Sequence, residues 1–412
     1  MNLLYNLLLL KANILLPIIA LFNKKINLFY NGRKDTFNKL STIKKTDKVI
    51  WFHAASLGEF EQGRPIIEKL KQQYKQHKIV VTFFSPSGYE VRKKYSLADV
   101  ICYLPLDTKS NVKKFINQTH PEVAIIIKYE FWPNLLSELR KQQIKTILIS
   151  GIFRKKQSFF KWYGNFMRNK LRAFDYFFVQ NKNSKQLLLS ININNATIAG
   201  DTRFDRVHDI LQQNNELDFI AAFKNNTYTV VAGSTWREDE SFLVNYINNH
   251  ASTNEKFIIA PHNINPKQIQ ELQQSINKKT ILYSDKEGAD LSKYQVFIID
   301  TIGLLTKIYS YADAAYVGGG LKTGLHNILE PATFGVPIVI GGNKYKKFKE
   351  ATDLLALGGV TIVTKNEEFS SIFTALKNNC DLRAEQGNIN QKYITDNLGA
   401  TKKIMDYLKK TL

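Results

Sequence analysis

Cysteine is nearly missing from this chain: Cys102 and Cys380 are the only two among 412 residues. They lie far apart and without metal-ligand spacing, so no disulfide framework is expected, which fits a reducing cytosol. Cys102 sits inside the apolar run DVICYLPL and reads as a core residue. Acidic side chains are also short, 36 against 57 Lys and Arg, which leaves a formal net charge of +21. Lys, Asn and Ile are abundant throughout, a bias that codon usage alone can produce. The excess still predicts attraction to phosphorylated substrates, anionic lipid or nucleic acid. An RNA-binding aromatic signature and a helix-turn-helix with a basic recognition helix are both absent, so nucleic acid is not the expected partner. Neither a Walker loop nor a G-x-G-x-x-G fingerprint occurs.

What is present begins with an apolar segment. Leu3 to Phe22 is broken only by Asn6, Lys11 and Asn13 among its apolar residues. It lacks the charged n-region and small-residue cleavage site of a signal peptide. Its length is marginal for a bilayer span of ~20 residues, and Lys11 at its middle is costly for one. Lys24, Lys25, Arg33 and Lys34 follow and would stay on the cytoplasmic side. The expectation is an N-terminal membrane anchor, one span or a helix lying in the interface. The competing reading is a first helix buried against the body of the protein.

Beyond the anchor, apolar strand-like runs alternate with helical patterns. DKVIWFHAA, KIVVTFFSP, DVICYLPL, EVAIIIKY, KTILISG, YFFVQN and ATIAGD form one series. YTVVAGS, KFIIAPH, KTILYS, QVFIID, AAYVGGG, VPIVIGG and GVTIVT form a second. A long aromatic and basic helix is expected over Phe159 to Leu171, and a final helix over Gln391 to Leu412. Continuous apolar strands between helices predict parallel sheets covered on both faces. The fold class is therefore α/β, with two doubly wound Rossmann-like domains in tandem. The expected boundaries are 1–34 for the anchor and basic flank, 35–206 for the first domain, 207–227 for a polar linker and 228–412 for the second domain with its C-terminal helix. Ligands of such domains bind outside the carboxyl ends of the strands, so the site is expected in a cleft between the two.

Several strand ends carry candidate chemistry. In WFHAASLGEFEQGRP, Ser56-Leu57-Gly58-Glu59 fits a capping box, and a carboxylate there suits the positive end of a helix dipole. The same position suits a general base. In IIIKYEFWPNLL, Glu130 ends a strand at the same edge, with Phe131 and Trp132 read as packing residues. AGDTRFD places Arg203 there too, completing a general-base and anion-binding arrangement. In the second series, YVGGGLKTGLHNILEPATFGVPIVIGG puts Gly318, Gly319 and Gly320 at a strand end, where the backbone can approach a ligand. A helix from about Asn327 would offer N–H groups to a phosphate, and Glu330 would accept from a ribose diol. Ser234, Thr235 and Asp300 read as helix caps. His326 and Glu330 are spaced i, i+4, but no third ligand has convincing spacing, so no metal is expected.

Taken in order, WFHAASLGE, EFWPN, GDTRFD, VGGGLKTGLHNILEPA and NKYKKFKEA resemble the motifs of the 3-deoxy-D-manno-octulosonic acid (Kdo) transferases of lipopolysaccharide synthesis. The resemblance runs over almost the whole chain. It implies a GT-B glycosyltransferase with a CMP-Kdo donor and a lipid A precursor (lipid IVA) as acceptor. It further implies inversion at the anomeric centre, no metal or other cofactor, and a place at the cytoplasmic face of the inner membrane. Glu59 matches the family's catalytic base and Glu130 a second acidic site, while Arg203 stands where members commonly carry Lys. The CMP-sugar side maps onto Pro261 and His262, onto Ile302, Gly303 and Leu304, and onto Asn327, Ile328, Leu329 and Glu330. The chain departs from the family at Pro261-His262-Asn263, where Pro-Arg-His is frequent. It also departs at STWREDE, which lacks a His after Ser-Thr, and at Ile328, which replaces a common Pro. Lys128, Arg154, Lys155 and Lys156 are expected to meet acceptor phosphates and the anionic lipid surface. The rival expectations are a GT-B transferase for another nucleotide sugar, a sugar-nucleotide epimerase on the same architecture, and a non-catalytic anion-binding or RNA-binding protein.

Overall fold

The computed structural model describes residues 2–412. The chain divides into two compact units, one made of residues up to Asp205 together with Leu398–Leu412, the other of Arg206–Asn397.

The sheet of the first unit comprises β1 (Lys48–Ala54), β2 (His77–Phe83), β3 (Val100–Tyr103), β4 (Val123–Ile127), β5 (Lys145–Gly151), β6 (Tyr176–Val179) and β7 (Ala196–Ile198). Their order is β3-β2-β1-β4-β5-β6-β7, and every pairing is parallel. Alternate residues of the apolar strands feed two layers, Val49 and Trp51 on one face and Ile50 and Phe52 on the other. This is why the strands read as unbroken hydrophobic runs.

The second unit comprises β8 (Tyr228–Thr235), β9 (Glu255–Pro261), β10 (Thr280–Leu282), β11 (Val296–Ile298), β12 (Ala314–Val317), β13 (Ile338–Gly341) and β14 (Val360–Val363). The order is β10-β11-β9-β8-β12-β13-β14, again all parallel. Its two core layers run through Val230, Phe257 and Tyr316 on one face and Val231, Ile258 and Ala315 on the other.

Four expectations about the elements are corrected. The stretch 207–227 is not a free linker: the helix Asp218–Lys224 buries Ile220 and Phe223 in the core of the second unit. The last helix is two helices, Cys380–Asp396 and Ala400–Leu408. Gly399, with φ 101°, turns the chain between them. The second of these belongs to the first unit, not to the second as expected. It buries Ile404, Met405 and Leu408 in the layer that holds Phe52 and Ile66. Asp205 caps its start by accepting the N–H groups of Gly399 and Thr401 at 2.6 and 2.7 Å. The aromatic and basic helix is a short 3₁₀ turn, Ser158–Phe160, and a helix of seven residues, Asn165–Leu171. A tight turn at Gly164 separates them, because a Cβ there would come within 1.9 Å of the Ser158 carbonyl oxygen.

The chain begins with the helix Asn2–Phe22, long and apolar enough by length and composition to cross a membrane. Ala20 is its single buried side chain among the described residues, so it is not a core helix. Two of its polar positions are spent on the first unit. Tyr5 donates its hydroxyl to Asp107 at 2.8 Å, and Asn134 donates to Asn6 at 2.8 Å. Asp107 also accepts the N–H groups of Asn134 and Leu135, yet burial pushes its carboxyl up to about 6. Arg33 does not join the exposed basic flank. It is buried against Phe29 and Phe84 and bonds to their carbonyl oxygens.

Candidate functional site

In the first unit the strand order reverses between β1 and β4, and loops leaving the carboxyl ends at such a reversal open a ligand crevice. Both carboxylates singled out in the sequence lie on these two loops. After β1 the chain turns through Ala55 and Ser56 into the helix Leu57–Gln73, placing Glu59 in its first turn. After β4 comes Lys128, in left-handed backbone at φ 68°, and then Glu130. A long side chain held there is strained and needs its surroundings to fix it.

The capping box is not formed as expected. Ser56 makes no side-chain cap bond, and Glu59 Oε2 accepts the N–H of Ala55, not that of Ser56, at 2.5 Å. Glu59 is 6% exposed. Burial and the neighbouring Glu130 charge push its carboxyl above the usual range, while the Ala55 N–H, Lys128 and His53 pull the other way. A carboxylate kept reluctant to ionise in this way is a stronger base than a solvated one.

Glu130 is positioned from two sides. Trp132 donates its indole N–H to Glu130 Oε2 at 2.8 Å, and His53 Nε2 lies 3.4 Å from the same oxygen. His53, fully buried on β1, turns its Nδ1 to the Thr82 hydroxyl at 2.9 Å. The register explains this reach, since His53 stands opposite Thr82 on β2 and Ile126 on β4. Trp132, expected only to pack, both stacks on Phe84 with centroids 4.7 Å apart and orients the carboxylate. Glu130 and Trp132, with Tyr129, Phe131, Gln157, Phe159 and Met167, line a hollow of about 360 Å³. Arg203 follows β7 and is held by Asp201, whose Oδ2 accepts its Nε at 3.0 Å and its Nη2 at 2.9 Å. Gln62 and Gln180 donate to the same oxygen at 3.0 and 3.1 Å. Burial alone would raise the Asp201 carboxyl, but Arg203 and Lys128 hold it below the usual carboxylate range.

A pH dependence follows from Glu59. As a base it acts ionised, so the acid limb of kcat/KM is expected above the usual carboxylate value of ~4.3. The sign for stability is opposite. A carboxyl raised on folding binds its proton more tightly in the folded state, so its contribution is full below the unfolded value and is lost as pH rises through the folded one. A pH–rate profile of wild type, with melting curves over the same range, checks both signs.

In the second unit the reversal lies between β8 and β12. The loop after β12 is Gly318-Gly319-Gly320, and it is compact by necessity: a Cβ on Gly318 would meet the Ser234 carbonyl oxygen at 2.4 Å and one on Gly320 the Gly341 oxygen at 2.1 Å. Asp239, fully buried, ties this turn to the β8 loop. It accepts from Gly319 N–H at 2.9 Å, Tyr316 hydroxyl at 2.7 Å and Trp236 N–H at 3.0 Å. The cap of the helix Arg237–Asn249 is therefore Trp236; Ser234 and Thr235 belong to β8. Asp300 is no cap either, and accepts the N–H of Ser284 at 3.0 Å.

Three rings gather beside this turn. His262, just past β9, stacks on Trp236 at 4.7 Å and on His326 at 4.3 Å. Trp236 donates its indole N–H to His326 Nε2 at 3.0 Å. Burial and His262 bring His326 down to about 4, and burial lowers His262 as well. Both rings are thus neutral near pH 7 and offer hydrogen bonds rather than charge. Pro261, Trp236, Asn263, Lys322 and Thr323 line a pocket of about 240 Å³.

The helix expected from about Asn327 is five residues, Leu329–Thr333. Glu330 is oriented by Asn327 at 2.9 Å on one oxygen and by Thr306 at 2.8 Å on the other. Thr306 lies on the helix that follows Ile302, Gly303 and Leu304, so these two predicted segments meet at Glu330. Ile302 is 81% exposed and Gly303 has φ 95°, which makes that loop a projecting turn. Ile328 and Leu329 are buried. His53, Asp201, Asp239 and Trp236 received no role from the sequence, although each stands within a motif quoted for other residues.

Residues 31–206 match the family model described as 3-Deoxy-D-manno-octulosonic-acid transferase (kdotransferase). The chain is similar to the 3-deoxy-D-manno-octulosonic acid transferase of Aquifex aeolicus, 27% identical over 354 residues that cover 82% of this chain and 90% of that one. Against the transferase of the same name from Haemophilus influenzae it is 25% identical over 381 residues, 87% of this chain and 86% of that one. The Chlamydia trachomatis serovar A transferase is 27% identical over 317 residues, 74% and 72% of the two chains. Among solved structures, UDP-GlcNAc 2-epimerase from Neisseria meningitidis bound to UDP-GlcNAc superposes with a TM-score of 0.59 at 16% identity, covering 88% of this chain and all of that one. MurG from Acinetobacter baumannii gives 0.55 at 13% identity, covering 88% and 99%. At those identities the structural likeness establishes a GT-B-like fold and nothing more.

Proposed function

We propose that the chain, whose residues 31–206 match the 3-deoxy-D-manno-octulosonic-acid (Kdo) transferase family model, is a glycosyltransferase of that family and moves Kdo from CMP-Kdo to a lipid A precursor such as lipid IVA, with Glu59 as general base. The observation that carries this reading is the buried Glu59 carboxylate at the β1–β4 reversal, raised by burial and by Glu130. In the proposed step the acceptor hydroxyl gives its proton to Glu59 as its oxygen forms a bond to the anomeric carbon of Kdo. The bond from that carbon to the phosphate oxygen breaks on the opposite face, and CMP leaves with the electron pair as a phosphate monoester, inverting the centre. Glu130, held by His53 and Trp132, is a second acidic group beside Glu59. Arg203, aimed by Asp201, supplies the positive charge for an anionic group.

The second unit is the proposed donor site. The Gly318–Gly320 turn, whose Gly318 and Gly319 N–H groups are engaged by Gly233 and Asp239, lets the phosphate approach the backbone closely, and Glu330, pre-oriented by Thr306 and Asn327, accepts from the ribose hydroxyls. Pro261, His262, Ile302, Gly303, Leu304, Asn327, Ile328 and Leu329 shape the remainder of that site. With His262 and His326 neutral, leaving-group charge falls to cations such as Lys322, whose ammonium also pairs with Glu238 at 2.5 Å. The proposed location is the cytoplasmic face of the inner membrane. The exposed leucines of Asn2–Phe22, and the Tyr5 and Asn6 contacts near one end, support a helix that lies in the membrane interface with its apolar side outward.

CMP release from CMP-Kdo is expected only when a lipid A precursor is supplied, with no turnover or epimerisation of UDP-GlcNAc. Epimerisation of that sugar nucleotide, or acceptor-independent CMP release alone, would overturn the proposal.

A further inference from the structure

Resting on the membrane reading above, we propose that the turn carrying Trp162 and Tyr163 is a second membrane contact, which seats its aromatic pair among anionic lipid headgroups beside the Glu130 hollow. Trp162 is 91% exposed and Tyr163 59%, so a large apolar surface faces solvent on a soluble-looking part of the fold. The turn is not loose. The Arg168 guanidinium bonds to the Lys161 carbonyl oxygen at 2.6 Å. Gly164 donates its N–H to that same oxygen at 2.9 Å and lies too close to Ser158 for any side chain. Trp162 and Tyr163 pack edge to face at 5.5 Å, so they are presented as one unit.

The charge around them selects the partner. From Ile152 to Arg172 the chain holds seven basic residues (Arg154, Lys155, Lys156, Lys161, Arg168, Lys170 and Arg172) and no acidic one. An aromatic pair that favours the headgroup level, in a basic segment with no acidic residue of its own, is the chemistry of an anionic bilayer surface.

Two contacts tie this turn to the rest of the site. Its base supplies Gln157, Phe159 and Met167 to the hollow that holds Glu130. Lys170 Nζ donates to Ser137 at 2.6 Å, on the helix Pro133–Lys141, and that helix carries Asn134, the partner of Asn6 in the apolar N-terminal helix. The N-terminal helix and the aromatic turn are therefore braced by one element.

The test is tryptophan quenching on the full chain bound to phosphatidylglycerol vesicles that carry lipid brominated high in the acyl chain, with flotation run in parallel. Wild type is expected to float and be quenched. Trp162→Phe is expected to float and melt as wild type does, with at least half of the quenching gone. Replacing Lys155, Lys156 and Lys161 by Ser should reduce the quenching further as salt rises. Equal quenching of wild type and Trp162→Phe on floated protein would overturn the proposal while leaving the membrane reading intact. So would floated protein with no quenching at all, which would assign the patch to another partner. Failure of the wild type to float would overturn both.

Discussion

Glu59→Gln is expected to lower turnover by ~10²–10⁴-fold, the range of a lost general base, while leaving the folded protein at least as stable as wild type at neutral pH. Two roles compete for this side chain, and the substitution separates them. Gln retains an amide oxygen that can accept the Ala55 N–H, the bond that Glu59 makes at 2.5 Å. What Gln lacks is the charge, and that charge sits buried beside Glu130. A helix cap would therefore lose little stability and no activity. A base would lose its activity, and the fold would be relieved of an unfavourable ionisation. The stability gain should vanish below the usual carboxylate pKa, where both variants are neutral at this position. Turnover, CMP-Kdo binding and melting temperature measured on one preparation decide the matter. Near-wild-type turnover would return Glu59 to the cap.

The second large effect is expected at Asp239. Asp239→Ala leaves the Gly319 N–H, the Trp236 N–H and the Tyr316 hydroxyl without their acceptor in a buried place. At roughly 1–3 kcal/mol for each buried donor left unsatisfied, the loss is expected to be about 3 kcal/mol or more. The Gly-rich turn should also lose its fixed position, so CMP binding should weaken even where the protein is folded. Asp239→Asn is the control. Its amide oxygen can take the place of Oδ2, which serves both backbone donors, and the Tyr316 hydroxyl can turn to accept from the new NH₂. Denaturant midpoints and CMP titrations should thus rank wild type, Asn and Ala in that order, with a wide gap before Ala. An Ala variant as stable as wild type would show that the turn does not depend on Asp239.

The parallel sheets were legible because each strand is covered on both faces, and a doubly covered strand has no polar side to interrupt its apolar run. Val49–Phe52 and Val123–Ile127 are of that kind. Glu59 and Glu130 were legible because polar residues directly after such runs fall at the ligand-binding edge. The partners that aim them were not. His53 stands within an apolar strand, and nothing local shows that its ring reaches Thr82 on one neighbour and Glu130 beyond the other. Asp239 looks like an ordinary acidic residue of a first helical turn, and its three donors come from β12, the Gly-rich turn and its own cap. The errors share a cause. The Phe159–Leu171 segment has helical composition, but the crowding at Gly164 that breaks it is a three-dimensional fact. The Ala400–Leu408 helix follows the second unit in sequence, yet it joins the first because Asp205 caps it and the Phe52 layer buries it. Contacts across many residues decide the second case, and a close approach of Gly164 to the Ser158 carbonyl decides the first; neither shows in the periodicity of apolar residues.

Mass spectrometry of the lipid after incubation of the full chain with CMP-Kdo and a lipid A precursor is the decisive experiment. The acceptor is expected to gain the mass of one or more Kdo units in step with CMP release, and that gain should disappear with Glu59→Gln. An acceptor of unchanged mass, with folded protein bound to the same vesicles, would contradict the proposal that this chain transfers Kdo to a lipid A precursor.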